Sequence, residues 1–450
     1  MNKDLIKNDE IPMTIDSCQI ELNSQCNALC KFCPREEILK EDPYLDITDN
    51  RNINIQMHFD EYKKIIDQGK ENGLSRVHFT GFGEMTTWKW FKKAFDYCGE
   101  VGVQDVHLTT NAFVLNDKKS EIILRNCSSV SISITGTTDE VYNNYQGYKV
   151  KYTLNDVDKN LINFVNLRNK QKKTTKINLG FIMGDDSIPQ WRKYYDKWVN
   201  IVDEIVFADL QEYHLDKYGL NNKNIRNCSE IVNRNKLNFL SNGNVTVCCE
   251  DFNGVLSLGN MKENTLSEIW QSPELKKIKN DFIEKDYDKI PKNCQNCYQI
   301  NRRMNFMNNS HVDSSDKMLD YLNNYFPNVN NIIVYGANSS TMAMIYDVRL
   351  NKKIVAVIDD TELGNFMSKE VISFDDVENK DCDIIIVNYT NTSKNIGLTK
   401  NQIFRELKKR NLDKKKMVIY NSAFGGTDLV DEDKTEMEQW MLSNYNNNLV

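Results

Sequence analysis

Three cysteines near the N-terminus have the spacing of a metal-binding loop. Cys26, Cys30 and Cys33 lie within eight residues, directly after an apolar segment with the composition of a strand. Three thiolates on one short loop can hold three irons of a 4Fe–4S cubane and leave the fourth iron open. An open position on a metal is where a substrate or cofactor binds, so this loop predicts catalysis rather than electron transfer alone. The alternative is a structural zinc site that takes its fourth ligand from elsewhere in the chain.

The middle of the chain supplies four further thiols, at Cys228, Cys248, Cys294 and Cys297. Four thiolates can close a zinc site or a second 4Fe–4S cluster, and their spacing does not separate the two. Cys249 follows Cys248 directly, and because neighbours on a strand face opposite ways, we expect only one of them to bind the metal. Cys249 is then either a small buried hydrophobe or a thiol that gives a hydrogen atom to a substrate radical.

Alternating strands and helices must position the first cysteine loop. Amphipathic helix-like stretches, such as residues 59–72 and 88–101, lie between short apolar strand-like runs. This alternation predicts a parallel sheet with crossover helices, and about six repeats would form a partial or complete barrel. The strand-like runs are residues 17–22, 77–80, 106–109, 130–134, 177–182 and 204–208. The cysteines predicted to be packing residues are Cys18, Cys98, Cys127 and Cys382.

Two further regions follow these repeats. Residues 212–305 have short strands around an Asn242-Gly243 turn, which is typical of a hairpin, and a bound metal would supply much of the stability of so small a region. The polar residues 301–317 are predicted to be a linker. Beyond them, strands near 331–336, 353–359, 383–388 and 417–420 predict a third, doubly wound α/β domain. Only Gly336 remains of a dinucleotide-binding glycine fingerprint, with Asp359 where an acid would meet a ribose.

Composition excludes several classes of protein. The chain has 450 residues, 40% hydrophobic and 27% charged, and no apolar stretch long enough for a membrane helix. Its N-terminus has no apolar signal region, so we expect a cytoplasmic protein in which twelve cysteines serve metal or redox chemistry rather than disulfides. A formal charge of −7 argues against nucleic acid as the main partner.

The spacing of the first three cysteines, placed after the first strand of a βα repeat, resembles the radical S-adenosylmethionine (radical SAM) superfamily. The resemblance implies that Cys26, Cys30 and Cys33 hold the catalytic cluster, that its open iron takes the methionine moiety of S-adenosylmethionine, and that Phe32 packs by the adenine. Three later segments are similar to the family's GGEP, TTN and VSIDG motifs, although Phe82, Met85, Thr135 and Gln146 depart from the usual residues. The cofactor-binding residues that these segments imply are Gly81, Gly83, Glu84, Asn111 and Ser133.

The second cysteine set resembles the SPASM/twitch extension of the same superfamily. The resemblance rests on Cys228, Gly243 and Cys248 in a Cys-x14-Gly-x4-Cys pattern, on a later Cys-x2-Cys, and on Leu258-Gly259-Asn260 between them. It implies one auxiliary cluster with four protein ligands, and therefore two 4Fe–4S clusters in all. The implied fold is α/β: a partial (β/α)6 barrel in residues 1–211, a cysteine-rich twitch-like iron–sulfur domain in 212–305 and a Rossmann-like domain in 318–450.

The family implies reductive cleavage of S-adenosylmethionine, with an electron from a flavodoxin- or ferredoxin-type donor, and abstraction of a hydrogen atom from a C–H bond. Because the C-terminal region looks like the sugar-nucleotide-binding domains of carbohydrate-modifying enzymes, the expected substrate is a sugar, nucleotide sugar or cyclitol, which is oxidised or epimerised. A scaffold or oligomerisation role for that domain stays open. The alternatives are a peptide-modifying SPASM enzyme, an iron–sulfur electron carrier and a zinc-stabilised binding protein.

Overall fold

The computed structural model describes residues 14–30, 32–33, 35, 55–147, 152–209, 228, 231, 235–252, 254–284, 288–295, 306–337, 339–359, 364–387 and 417–420. The chain divides into two compact units, Met1–Met304 and Asn305–Val450. Within the described residues, no helix is both long enough and apolar enough to cross a membrane.

Six parallel strands form the first part of the sheet of the first unit, in the order β6-β5-β4-β3-β2-β1. They are β1 (Ser17–Ile20), β2 (Arg76–Phe79), β3 (Asp105–Thr110), β4 (Ser129–Ser133), β5 (Lys176–Met183) and β6 (Glu204–Asp209). Each strand lies beside the next one in the chain, which requires a crossover between every pair. This order confirms the predicted partial (β/α)6 barrel.

Amphipathic helices make the crossovers and cover one face of this sheet. Their formation follows local rules: Thr153 and Asp156 form a capping box at the start of one helix, and Asn116 caps another through the backbone of Lys119. The helices of this part are Phe59–Glu71, Phe91–Glu100, Asp117–Asn126, Asp139–Tyr142, Leu154–Lys170 and Trp191–Trp198.

The two faces of the sheet differ in chemistry. On the helix side, Phe79 contacts Tyr62 and Phe95, and the buried thiol of Cys98 lies 3.0 Å from the Tyr62 hydroxyl. Cys18 and Cys127 are also buried in this unit, and Cys382 is buried in the second unit, as expected of packing residues.

Because side chains alternate along a strand, residues between these apolar ones point to the opposite, inner face. There the His78 and His107 rings lie 4.4 Å apart, and His107 Nδ1 is 2.6 Å from Ser129 Oγ. His78 Nε2 lies 2.9 Å from Thr109 Oγ1. The inner face is therefore polar where the helix side is apolar.

The cysteine-rich region continues the same sheet. Strand β7 (Lys236–Phe239) pairs in parallel with β1, and β8 (Asn244–Thr246) and β9 (Ser257–Asn260) follow in antiparallel order. The Asn242-Gly243 turn thus forms the predicted hairpin, and Gly243 has φ +90°, a conformation that favours glycine. The helices of this region are Leu266–Trp270, Pro273–Glu284 and Lys292–Gln295.

The second unit contains a mostly parallel sheet in the order β13-β14-β12-β11-β15-β16, with β13 antiparallel at one edge. The predicted linker is wrong from residue 306 onward, because a strand at Phe306–Asn308 is followed by helix Asn309–Tyr325, which buries the apolar side chains of Val312, Met318 and Leu322. The strands are β10 (Phe306–Asn308), β11 (Ile332–Tyr335), β12 (Ile354–Ile358), β13 (Gly364–Phe366), β14 (Lys369–Ile372), β15 (Ile384–Val387) and β16 (Met417–Tyr420). The remaining helices are Ser339–Tyr346 and Val348–Asn351.

Candidate functional site

The predicted cofactor segments meet at one edge of the first sheet, because each follows the carboxyl end of a parallel strand, where open α/β sheets bind ligands. The cysteine loop follows β1, the Gly81–Glu84 turn follows β2, and Asn111 follows β3. The Asn111 side chain donates to Asn27 Oδ1 at 2.8 Å, and its Nδ2 lies 4.0 Å from Cys26 Sγ. The structure therefore brings the cysteine loop and the end of β3 together.

The cysteine loop is tightly turned and half-buried. The backbone N–H of Cys33 donates to the Cys30 carbonyl at 3.1 Å, and the N–H of Ala28 points to Cys26 Sγ at 3.4 Å. Burial, with the nearby negative charge of Glu84, raises the pKa of Cys26 to about 12. Burial and the neighbouring Cys33 raise the pKa of Cys30 well above its ordinary value. These thiolates form readily only when a cation accompanies them.

The residues at this loop fit an iron–sulfur cluster. Soft thiolate donors are the ligands that such clusters use, and Cys26, Cys30 and Cys33 supply them on one loop. The side-chain Nδ2 of Asn27, in the same loop, is buried and has no hydrogen-bond partner within the described part of the chain. A buried amide donor calls for an acceptor, and a sulfide or a carboxylate of a bound group would satisfy it.

The Gly81–Glu84 turn presses directly against the segment that enters the cysteine loop. A Cβ at Gly83 would lie 2.0 Å from the Asn23 carbonyl oxygen and 2.7 Å from that of Gln25. The Glu84 N–H donates to the Gln25 carbonyl at 2.7 Å, and the Asn23 side chain donates to the Glu84 carbonyl at 3.1 Å. Glycine at position 83 is therefore required by the close approach of two backbones.

The Glu84 carboxylate is buried and braces the ends of β2 and β3. Its Oε1 accepts hydrogen bonds from the backbone and hydroxyl of Thr86 and from Thr110 Oγ1, at 3.1, 2.6 and 2.7 Å. Its Oε2 accepts from the Asn111 N–H at 2.8 Å, which leaves that oxygen capacity for one more donor. These hydrogen bonds show that Glu84 fixes the turn. Contact of Glu84 with the amino group of a cofactor stays a prediction.

The remaining predicted cofactor residues lie around this edge. The half-buried Ser133 ends β4, and its carbonyl accepts from the side chain of Gln146 at 2.6 Å, while Gln146 Oε1 accepts from the Thr135 N–H at 3.0 Å. Gln146 thus fixes the end of β4. The Phe32 ring centroid lies 6.3 Å from that of Tyr145.

The auxiliary thiols are described in part. Cys248 follows β8, the half-buried Cys228 precedes β7, and the buried Cys294 lies on the short helix Lys292–Gln295. Cys297 lies outside the described residues. Among the residues that are described, no three His, Cys, Asp or Glu side chains are grouped closely enough to hold a single metal ion.

The expectation that Cys248 and Cys249 face opposite ways is wrong. Strand β8 ends at Thr246, so both cysteines lie in the turn beyond it, where strand alternation does not apply. Their side chains interact, and the hydrogen bond with Cys249, together with burial, raises the pKa of Cys248 well above its ordinary value.

The turn that carries Cys249 lies against the first site. The Gln19 side chain on β1 donates to the Cys249 carbonyl at 3.5 Å, and Phe252 stacks on Phe82 with ring centroids 4.3 Å apart. Phe82 belongs to the Gly81–Glu84 turn. The structure therefore brings the Cys248–Phe252 turn to the edge where the three predicted cofactor segments meet.

Sequence reasoning missed two buried carboxylates. Asp251 holds the Cys248–Phe252 turn, because its Oδ2 accepts from Thr246 Oγ1 at 2.5 Å and from the Leu256 N–H at 2.8 Å. Glu21 directly follows β1 and is 1% exposed. A charged residue at the end of an apolar strand was the available signal for Glu21.

Two family models match the chain. Residues 20–190 match the Radical SAM superfamily, and residues 228–298 match SPASM, an iron–sulfur cluster-binding domain. GTP 3',8-cyclase from Clostridium botulinum is 22% identical over 226 residues, which cover 48% of this chain and 65% of the relative. The enzyme of that name from Staphylococcus aureus is 20% identical over 197 residues, covering 43% and 54%. The chain thus spans less than two thirds of these curated relatives.

Solved structures are also similar to this chain. SuiB from Streptococcus suis, bound to its precursor peptide SuiA, is 18% identical with a TM-score of 0.46, covering 61% of this chain and 68% of SuiB. BtrN, in complex with AdoMet and 2-DOIA, is 17% identical with a TM-score of 0.41, covering 64% of this chain and 94% of BtrN.

Proposed function

Because this chain belongs to the radical SAM superfamily and carries a SPASM domain, we propose that it abstracts a hydrogen atom from a carbon that bears a hydroxyl or nitrogen in a small polar substrate. Membership in the family confirms 4Fe–4S clusters and S-adenosylmethionine as the cofactors. Cys26, Cys30 and Cys33 would hold a cluster that would supply the electron for reductive cleavage of S-adenosylmethionine, and an auxiliary cluster would offer an acceptor for a second electron. That auxiliary cluster is proposed at Cys228, Cys248, Cys294 and Cys297.

One observation carries the proposal: the Cys248–Phe252 turn packs on the Gly81–Glu84 turn through the Phe82–Phe252 stack. The turn that follows Cys248 and the cofactor turn therefore meet at one edge of the sheet. A substrate held at this edge would be within reach of both, which suits a reaction that starts with hydrogen abstraction and ends at a second redox-active group.

The polar inner face supports a hydroxylated substrate. Burial lowers the pKa of His78 well below its ordinary value and lowers that of His107. Both imidazoles are therefore neutral near pH 7. One ring nitrogen of each is paired with Thr109 or Ser129, which leaves the other nitrogen to donate to or accept from a substrate hydroxyl group. With Thr109 and Ser129 they form a surface suited to a sugar or cyclitol.

The second unit supports a nucleotide sugar within that class. Gly336 follows β11 with φ +99°, and the buried Asp359, at the end of β12, accepts from the Ala337 N–H at 2.9 Å. A glycine turn between a strand and a helix, with an acid ending the next strand, is the arrangement of nucleotide sites in doubly wound sheets. The Rossmann-like assignment of this unit is part of the proposal.

Two outcomes follow hydrogen abstraction. Oxidation requires the substrate radical to lose one more electron and a proton, whereas epimerisation requires it to regain a hydrogen atom from the opposite face. The Cys249 thiol, in the turn beside Phe82, is our candidate for that hydrogen donor. A flavodoxin- or ferredoxin-type donor in the cytoplasm is the proposed source of the first electron.

The test is substrate-dependent release of 5′-deoxyadenosine by the anaerobically reconstituted full chain. We expect a rise with members of a panel of nucleotide sugars and aminocyclitols. A rise with peptides alone would overturn the carbohydrate proposal in favour of peptide modification. Cys249→Ala then separates the outcomes, since it should abolish product formation in an epimerase and spare it in a dehydrogenase.

A further inference from the structure

Glu21 is a buried carboxylate that contacts two separate parts of the first unit. It directly follows β1 and is 1% exposed. Its Oε2 accepts from the backbone N–H of Phe82 at 2.7 Å, and its Oε1 accepts from Ser241 Oγ at 2.7 Å and from the Ser241 N–H at 3.3 Å. Three donors on a buried carboxylate make charge-assisted hydrogen bonds, which are the strong kind.

The two contacts belong to the two halves of the proposed site. Phe82 lies between Gly81 and Gly83 in the turn that follows β2. Ser241 opens the turn between β7 and β8, and β8 leads directly to Cys248. One side chain therefore joins the turn assigned to S-adenosylmethionine to the β7–β8 hairpin, the auxiliary hairpin, which leads to Cys248.

The surroundings of Glu21 leave its side chain little room to move. A Cβ at Gly81 would lie 2.5 Å from Glu21 Cγ and 2.6 Å from Glu21 Oε2, so glycine there makes space for the carboxylate. The backbone just beyond β1 also pairs with the hairpin strand β7, because the Glu21 N–H donates to the Phe239 carbonyl at 2.9 Å. The Phe82–Phe252 stack joins the Gly81–Glu84 turn to the Cys248–Phe252 turn, which follows the other end of β8.

We infer that Glu21 is a positioning residue that couples the auxiliary hairpin to the S-adenosylmethionine turn, so that the hairpin helps to set the affinity for S-adenosylmethionine. The inference rests on the proposed function, since it assigns the Gly81–Glu84 turn to that cofactor. Coupling between two sites is reciprocal, so bound S-adenosylmethionine would also stabilise the auxiliary hairpin.

The test is a double-mutant cycle on the anaerobically reconstituted full chain, with Glu21→Gln, Ser241→Ala and the double variant. The dissociation constant of S-adenosylmethionine, iron content and Tm are measured for each. Glutamine has the shape of glutamate but only one acceptor oxygen, so it cannot serve both Phe82 and Ser241 as a carboxylate does. The matched control is Ser257→Ala, an exposed serine on β9 of the same hairpin region.

We expect Glu21→Gln to weaken binding of S-adenosylmethionine about fivefold to tenfold and Ser241→Ala about threefold, the size of one or two lost hydrogen bonds. Because both single substitutions break the same link between Ser241 and Phe82 through Glu21, the double variant should bind S-adenosylmethionine no more weakly than Glu21→Gln alone. Ser257→Ala should bind as the wild type does, and iron content should stay unchanged in all four.

Three results would overturn the inference: unchanged affinity in both single variants, independent and multiplicative effects in the double variant, or loss of iron and Tm in parallel with affinity. The last would show a merely structural role. Failure of the proposed function looks different, because the reconstituted wild type itself would then neither bind nor cleave S-adenosylmethionine.

Discussion

The first unit holds packing thiols, such as Cys98, and cysteine-loop thiols, such as Cys26. Burial raises the thiol pKa in both kinds, but their surroundings differ. Burial raises the pKa of Cys98, behind the sheet, to about 12, and it does the same for Cys26 in the loop beyond β1. Cys98 is fully buried and lies beside a tyrosine hydroxyl among apolar side chains, whereas Cys26 is half-buried at the edge where polar groups from three strands meet. A high thiol pKa therefore does not distinguish packing from chemistry here; access and neighbouring donors do.

The sharpest test of this contrast removes the loop thiols. Replacing Cys26, Cys30 and Cys33 together by Ala should abolish cleavage of S-adenosylmethionine and leave about one cluster per chain, because the auxiliary thiols remain. Iron and sulfide analysis and 5′-deoxyadenosine release measure the two effects. Cys98→Ala is the control and should keep both; full iron content in the triple variant would refute the assignment.

The auxiliary thiols should show a structural effect as well as a chemical one. Single Ala variants of Cys228, Cys248, Cys294 and Cys297 are expected to raise protease sensitivity within residues 212–305, because a small region with a metal-dependent core loosens without its metal. Limited digestion followed by mass spectrometry reports the cleavage sites. Unchanged digestion in all four variants would argue against one shared closed site.

The metal-free protein should lose stability as the pH rises into the alkaline range. The folded-state pKa of Cys26 is raised above that of the unfolded chain, about 8.5, so its contribution to stability is present below pH 8.5 and is lost as the pH rises toward 12. We expect the free energy of unfolding to fall by roughly 1.6 kcal/mol from Cys26 alone between pH 8.5 and 10. Urea titrations at these two values measure it, and Cys26→Ala should show a smaller fall; an equal fall would assign the effect to the packing thiols.

The smallest effect is expected at the packing thiols. Cys98→Ala should lower the free energy of unfolding by about 1 kcal/mol, because it opens a small cavity while Tyr62 keeps its 2.8 Å hydrogen bond to the Ala94 carbonyl. Chemical denaturation measures this loss, with 5′-deoxyadenosine release as the second readout. A defect in that release would place Cys98 closer to the chemistry than the structure does.

The sequence predicted much of this arrangement because local rules govern it. Alternating apolar runs predicted β1 to β6 within one or two residues, and the Asn242-Gly243 pair predicted the hairpin. The grouping of the auxiliary thiols stays a prediction.

What failed depends on contacts between distant residues. Glu21 and Ser241 are 220 residues apart in the sequence, and the sequence around either residue does not predict their contact. The orientation of Cys249 depended on where β8 ends, and strand ends are the least certain part of a sequence-based prediction. Residues 309–317 are mostly polar, so their sequence did not indicate a helix. Its buried side is formed by Val312 together with Met318 and Leu322, which lie further along the same helix.

The position of β1 in the sheet has a consequence for synthesis of the protein. Ser17 pairs with Arg76 on one side and with Lys236 on the other, so the second partner leaves the ribosome about 220 residues after the strand itself. At a synthesis rate of about 5–20 residues per second, one edge of β1 stays unpaired for roughly 10 to 40 s until β7 has been made. During that interval the nascent chain presents an unpaired strand edge beside the cysteine loop, which is the kind of surface that chaperones protect from aggregation.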